Sequence, residues 1–330
     1  MHLKIDKKKI ELIITLATLI ISTLGALVVA EGILRFKNSS MKSYDIEMWR
    51  YARELKVRSD IELLGHEHIP SKSAILQSVN IRINEKGLRG PAISQYNKDK
   101  RRILFLGSSV TLGWGVEENE TVTERIREMF KNDGQDVDVL NAGIGNYNSV
   151  RYVERFKKRL SDLNPTDIVV HYFVRDAVSL KAGGGNTLLR NSQLAVTIWI
   201  AINRFLKSDS NISLEKYYLQ VYSTKAEGFI KMRQALNSLA IYCKKKNIRI
   251  YLAMTPDVHD LIEYKFNFIH KQIKDLSTEA DYQFVDLLPA MKNLTPKQLW
   301  SMPGDPHPNG YGHKIMAEVI YPILKTIDRK

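Results

Sequence analysis

The stretch "LGSSVTLGWGV", Leu106 to Val116, sets two serines and a threonine among three glycines, directly after the apolar run Ile103–Phe105. An ordinary turn needs one or two such residues. This density fits a tight turn that presents a hydroxyl at the end of a strand. A serine hydroxyl is a weak nucleophile at neutral pH; it needs a base within hydrogen-bond reach, and the base needs a third group to hold it. "GDPHPNGYGH", Gly304 to His313, offers both, with His307 as base and Asp305 as its orienting acid. Two residues apart in an extended loop, their side chains point to the same side. Pro306 and Pro308 fix the backbone around the histidine. Attack by Ser109 would create an oxyanion, for which the backbone N–H groups of Ser109 and of the Gly145-Asn146 turn in "NAGIGNYNS" are candidate donors. Trp114, beside the nucleophile, is a candidate wall of an acyl pocket or a packing residue, and Asn148 is a candidate substrate contact.

Strands must bring these groups together. Five β-rich runs, Ile103–Leu106, Val137–Leu140, Ile168–Phe173, Ile248–Met254 and Phe284–Leu287, alternate with helical patterns such as Val150, Val153, Phe156 and Leu160. The alternation predicts an α/β fold with a central parallel sheet of about five strands covered by helices on both faces. Ligands in such sheets bind outside the carboxyl ends of the strands. The glycine-serine turn, the "NAGIGNYNS" loop, "VRDA" (Val174–Ala177) and the Asp-x-His loop all follow strands or close the last unit, so one edge would collect them. Residues 178–225 exceed a usual crossover and hold the apolar stretch Leu194–Leu206, read as a helix belonging to the core, with a lid or a membrane-contacting helix as alternatives.

Leu12 to Ala30 carries no charged residue and follows Lys4, Lys7, Lys8 and Lys9. Nineteen helical residues reach about 28 Å, near the thickness of a bilayer core. The run predicts one transmembrane helix over 10–32, a cytoplasmic tail over 1–9, and everything after it outside the cytoplasm; a cleaved signal peptide ending at Ala30 is the alternative. Residues 33–100 read as a connector packed on a domain spanning 101–330. The single cysteine, Cys243, excludes an internal disulfide and reads as a small buried residue.

The net charge of +13 is scattered apart from Lys244-Lys245-Lys246, which reads as a solvated helix end. For a domain beyond a membrane, nucleic acid is not expected as a partner; an anionic membrane face or an acidic polysaccharide is. No metal or cofactor is expected: His66-Glu67-His68 lacks further ligands, His171 lies within a strand as a core residue, and Asp257 and His259 in "TPDVHD" read as a structural loop or a substrate contact.

The α/β-hydrolase elbow, G-x-S-x-G, does not fit, because Thr111 stands two residues after Ser109 and acid and base share one loop. The chain instead resembles the SGNH (GDSL-type) hydrolase superfamily from about Asn84 onward. "FLGSSVTLGWGV", "NAGIGNYNS" and "DPHPNGYGH" resemble its first, second and last blocks, and "INEKGLRG" with "AEGILRF" its membrane-anchored bacterial branch. The resemblance implies a flavodoxin-like three-layer α/β/α domain and acyl-serine chemistry on esters or thioesters without a metal. By position it makes Ser109 the nucleophile, His307 the base, Asp305 its partner, and Gly145 or Asn146 an oxyanion donor.

Three departures matter. Ser108 replaces the usual aspartate before the nucleophile and becomes a rival serine. Arg175 stands where the third block's oxyanion asparagine is expected; it could donate to the oxyanion, bind an anionic substrate, or pair with Asp176. The family's acid precedes the histidine by three residues, the position of Gly304 here, which leaves a Ser-His dyad open. The expected protein is a membrane-tethered extracytoplasmic esterase acting on O-acyl, chiefly O-acetyl, groups of an envelope or exported polysaccharide. An acyltransferase using the same acyl-serine and an inactive polysaccharide-binding module are the alternatives.

Overall fold

The structure is a computed structural model that describes residues 7–180, 187–207 and 213–326. The first six residues of the expected cytoplasmic tail lie outside the described residues. The chain divides into two compact units, one of Met1–Trp49 with Gly185–Asn211, the other of Arg50–Gly184 with Ile212–Lys330.

The larger unit opens with two small antiparallel pairs. β1 (Lys56–Arg58) pairs with β2 (His66–His68), and β3 (Lys72–Leu76) with β4 (Val79–Ile83). Gln77 and Ser78 alone join β3 to β4, both in the left-handed region with φ of 50° and 65°. Two successive positive φ values match the twist of a hairpin turned by two residues.

The central sheet then follows the expected runs closely: β5 (Arg102–Gly107), β6 (Asp138–Asn141), β7 (Asp167–Phe173), β8 (Arg249–Thr255) and β9 (Gln283–Asp286). Its order is β6-β5-β7-β8-β9, every neighbour parallel. This is the flavodoxin-like order, and the α/β/α expectation holds. β5 and β7 are apolar along nearly their whole length because both faces are covered. Helices Val122–Asn132 and Gly310–Lys325 pack together, as do Ser149–Arg155 and Glu227–Lys246. Right-handed crossovers from β5 out to β6, and from β6 back past β5 to β7, put these pairs on opposite faces. The chain reverses direction around β5, so the open crevice lies where β5 ends at Gly107 and Ser109 begins the next turn. A last pair, β10 (Trp300–Met302) and β11 (Asp305–Pro308), carries the Asp-x-His loop.

The smaller unit contains the helix Lys7–Asn38, which buries no residue and is long and apolar enough to cross a membrane. It also contains the helix Gln193–Lys207. The reading of Leu194–Leu206 as core does not hold. Val196 is buried, but Ile198, Trp199, Ile202, Phe205 and Leu206 are exposed.

Candidate active site

β5 delivers Ser109 to the first position of a one-turn helix, Ser109–Leu112. The turn is tight enough that a Cβ on Gly107 would stand 1.9 Å from Thr111 Oγ1 and 2.8 Å from His171 O, so only glycine fits. Arg89, from the stretch before the sheet, donates to the carbonyls of Leu112 (2.6 Å), Gly113 and Val116 and holds the loop's shape. Ser109 Oγ lies 2.8 Å from His307 Nε2. His307 Nδ1 lies 2.5 Å from Asp305 Oδ1, which also accepts the His307 backbone N–H at 3.1 Å. The aspartate fixes the proton on Nδ1 and leaves Nε2 as the acceptor facing the serine. Ser108 is buried at 5% exposure on the strand side of the turn, and the hydroxyl that meets His307 is that of Ser109. The two-residue spacing works because Asp305 folds back onto the His307 amide. Gly304 sits in the left-handed turn before it, φ 80°.

Asp305 is buried, and its other oxygen, Oδ2, accepts from Gln77 Nε2 (2.6 Å) and Trp114 Nε1 (3.1 Å). Burial pushes its pKa up, but the bonds from His307 and Gln77 outweigh this and hold the carboxyl below its ordinary value. Of the two readings of Trp114, the geometry fits the packing residue. It is 1% exposed, its indole N–H is engaged by the acid, and its ring packs 5.3 Å from that of Tyr51. It packs behind the Asp305 carboxylate.

The second loop, Asn141–Ser149, lies directly against the Ser109 turn. A Cβ on Gly143 would meet Leu112 N at 2.2 Å. Asn141 Nδ2 donates to Thr111 O at 2.7 Å and Ile144 N to Gly107 O at 3.3 Å. Within it the Gly145 amide is not a free oxyanion donor, because it donates to Tyr51 Oη at 3.0 Å. The Gly145 carbonyl is gripped as well: Lys56 Nζ donates to it at 2.9 Å, and His66 Nε2 lies 3.0 Å away. That carbonyl belongs to the same peptide unit as the Asn146 N–H, which no described residue accepts. Fixing the carbonyl fixes and polarises the N–H. Asn146 is exposed and left-handed, φ 66°. Asn148 also needs correcting as a substrate contact. Its side chain caps the helix Ser149–Arg155, accepting from Arg151 N (3.1 Å) and donating to Val178 O (2.9 Å).

His66 and His68 brace this loop. Tyr51 Oη donates to His68 Nε2 (2.6 Å), and His68 Nδ1 donates to Gly87 O (3.0 Å). Burial drives both imidazoles down, His66 to about 3, so both are neutral near pH 7. Burial, with Arg151 nearby, lowers Lys56 to about 7. Sequence reasoning missed Gln77, Lys56, Tyr51 and Arg89. Of these only Arg89 lies in a motif, "INEKGLRG".

Arg175 is exposed on the turn after β7 and makes no hydrogen bond or ion pair among the described residues. The pairing with Asp176 does not form. Asp176 is buried, accepts from Phe173 N at 3.2 Å, and is pushed by burial to about 8. His171 is a core residue, bonded to Thr255 Oγ1 at 2.8 Å.

Several solved structures are similar to this chain. The psychrotrophic esterase EstA from Pseudoalteromonas sp. is 15% identical with a TM-score of 0.42, covering 70% of this chain and 100% of its own. The acetyl xylan esterase AlAXEase is 17% identical with a TM-score of 0.43, covering 68% and 99%. CEX, a two-domain esterase active on acetylated mannans, is 17% identical with a TM-score of 0.45, covering 70% and 50%. No curated protein matches the sequence. The model of the GDSL-like lipase/acylhydrolase family matches residues 105–315, more than half of the chain. By that match the chain belongs to the GDSL-like lipase/acylhydrolase family and is an ester-hydrolysing serine hydrolase.

Proposed function

We propose that this protein is a membrane-anchored, extracytoplasmic esterase that removes O-acyl groups, chiefly O-acetyl, from an envelope or exported polysaccharide. The observation that carries the catalytic part is the relay Asp305–His307–Ser109, with links of 2.5 and 2.8 Å at the end of β5. Ser109 Oγ attacks the acyl carbon while His307 Nε2 takes its proton, and Asp305 stabilises the imidazolium that forms. The Ser109 and Asn146 N–H groups receive the oxyanion. Collapse breaks the bond to the alcohol oxygen, which leaves with the proton from His307. Water, deprotonated by His307, then releases the acid and restores Ser109.

Arg175 supplies the third donor or meets an acidic group of the substrate. Kinetics of Arg175→Ala separate these: a fall in kcat on a small neutral acetate ester marks the first, a rise in KM confined to acidic esters the second. The charge-free helix supports the anchor. The net charge of +13 and the similarity to esterases of acetylated xylan and mannan support the polysaccharide. A fluorophosphonate probe should label the protein and not Ser109→Ala, and the protein should release acetate from an acetylated polysaccharide. Labelling that survives Ser109→Ala overturns the nucleophile; labelling without acetate release overturns the substrate.

A further inference from the structure

Two cationic side chains of the larger unit stand on neighbouring loops at the sheet edge that holds Ser109. β5 and β7 run side by side with Gly107 opposite His171, and β7 and β8 with Phe173 opposite Thr255. Ser109 comes two residues after Gly107, Arg175 two after Phe173, and His259 four after Thr255. The parallel register carries all three to one edge, in the order nucleophile, arginine, histidine. His259 is fixed there from two sides. Asp257 Oδ1 accepts its backbone N–H at 3.0 Å, and its Nδ1 lies 2.5 Å from the same oxygen. Trp300 Nε1 donates to Val258 O at 2.8 Å, and the rings of His259 and Trp300 meet with centroids 5.8 Å apart. Trp300 faces Pro308, the neighbour of His307, across the β10–β11 pair. The loop bearing His259 is thus pinned to the strand pair that delivers the base.

Neither cation is taken up by the fold. Arg175 is exposed and has no hydrogen bond or ion pair among the described residues. The carboxylates closest to the two cations in sequence are committed elsewhere. Asp176 turns inward to Phe173 N at 3.2 Å, and Asp260 Oδ1 accepts from Ile262 N and Glu263 N, each at 3.0 Å. Asp257 occupies His259 Nδ1 and leaves Nε2 without a partner among the described residues, on a side chain 46% exposed. The bond to Asp257 raises the His259 pKa against burial, and the charge of Arg175 opposes the rise, so the two cations lie close enough to repel. An anion placed between them relieves that repulsion. An imidazolium and a guanidinium both make strong, directional charge-assisted bonds to an oxyacid. An Asp–His pair that served its own loop alone would need neither the open Nε2 nor the arginine beside it.

We propose that Arg175 and the Nε2–H of His259 form an anion subsite beside Ser109, which grips a carboxylate or phosphate on the sugar unit that carries the acyl group. This rests on the esterase reading and deepens it. The second Asp-x-His loop selects the substrate and moves no proton, and of the two roles open to Arg175 it takes the binding one.

The test compares three mono-O-acetylated sugars on the full chain: a methyl glucoside, the methyl glucuronide with its carboxylate, and the methyl glucoside 6-phosphate. At about pH 6.5 a raised pKa keeps more than half of His259 protonated. In the wild type, kcat/KM for the better acidic sugar should exceed that for the neutral one about 100-fold, and the acid preferred identifies the group. Arg175→Gln and His259→Gln should each lower this ratio about tenfold, through KM. Lys158→Gln, at an exposed cation of the same unit, should leave the ratio as in the wild type. A wild-type ratio near one, or a ratio that His259→Gln leaves unchanged, overturns the subsite. An equal fall in kcat on all three sugars in Arg175→Gln returns that residue to the oxyanion and also overturns it. Equal release of acetate from all three sugars removes the subsite and keeps the esterase reading; no release from any of them, or from an acetylated polysaccharide, removes both.

Discussion

Two loops of this protein carry the same small structure. In one, Asp305 Oδ1 accepts the backbone N–H of His307 at 3.1 Å and its Nδ1 at 2.5 Å; in the other, Asp257 Oδ1 accepts from His259 at 3.0 and 2.5 Å. Both aspartates are buried. What differs is the company. His307 looks onto Ser109, and the far oxygen of its aspartate is held by Gln77 and Trp114. His259 is half exposed and meets the edge of Trp300 with ring centroids 5.8 Å apart. An acid folded onto a histidine is thus a local motif that any Asp-x-His sequence can adopt. It becomes a relay only when distant segments put a hydroxyl on one end and donors on the other.

The two loops should differ most sharply at their acids. Asp305→Asn should lower kcat about 1,000- to 10,000-fold by losing control of the tautomer, and Asp257→Asn less than about twofold. Equal losses would mean that the second loop also serves the reaction. Lys56→Met leaves the relay intact and loosens the Gly145 peptide. It should lower kcat about 10- to 100-fold with KM nearly unchanged, a smaller loss than removal of a donor outright; a change in KM alone would place Lys56 in binding. Gln77→Leu removes one charge-assisted bond to Asp305 and should cost about tenfold in kcat, with no effect on the Asp257 loop.

The smallest effect belongs to His259. Its bond to Asp257 raises its pKa against the opposing effect of burial. A raised folded pKa means the charged pair stabilises the fold below the unfolded value of about 6.5, and this stability fades as pH rises through the folded value. The Tm of His259→Ala should therefore fall short of wild type most at acidic pH, with the gap closing as pH rises through the folded value. A gap that widens with pH would contradict the ion pair.

The sheet was legible because its strands are continuous apolar runs, set by covering helices and readable one at a time. The Ser109, His307 and Asp305 cluster was legible because each residue follows a strand or a proline-fixed loop, and a parallel sheet gathers such ends on one edge. What failed to read were partners supplied across long sequence gaps. Trp114 reads equally as a pocket wall or a packing residue until Asp305, 191 residues later, takes its N–H. Gly145 looks like a donor until Tyr51, 94 residues earlier, takes its amide. Leu194–Leu206 looks like core because composition records that a helix is apolar, not which side of it meets protein.

The order in which the chain is made adds one consequence. Tyr51, Lys56, Gln77 and Arg89 all precede the segment that matches the family, yet they grip the Gly145 peptide, the Asp305 carboxylate and the nucleophile loop. During synthesis they emerge first and wait for β5, for the second loop and, last of all, for the strand bearing Asp305 and His307, near the end of the chain. The nascent protein therefore holds a template before it holds an active centre, and reactivity should appear only when the final strand docks. A fragment that starts at the family boundary would keep Ser109, His307 and Asp305 and lose the parts that were waiting for them.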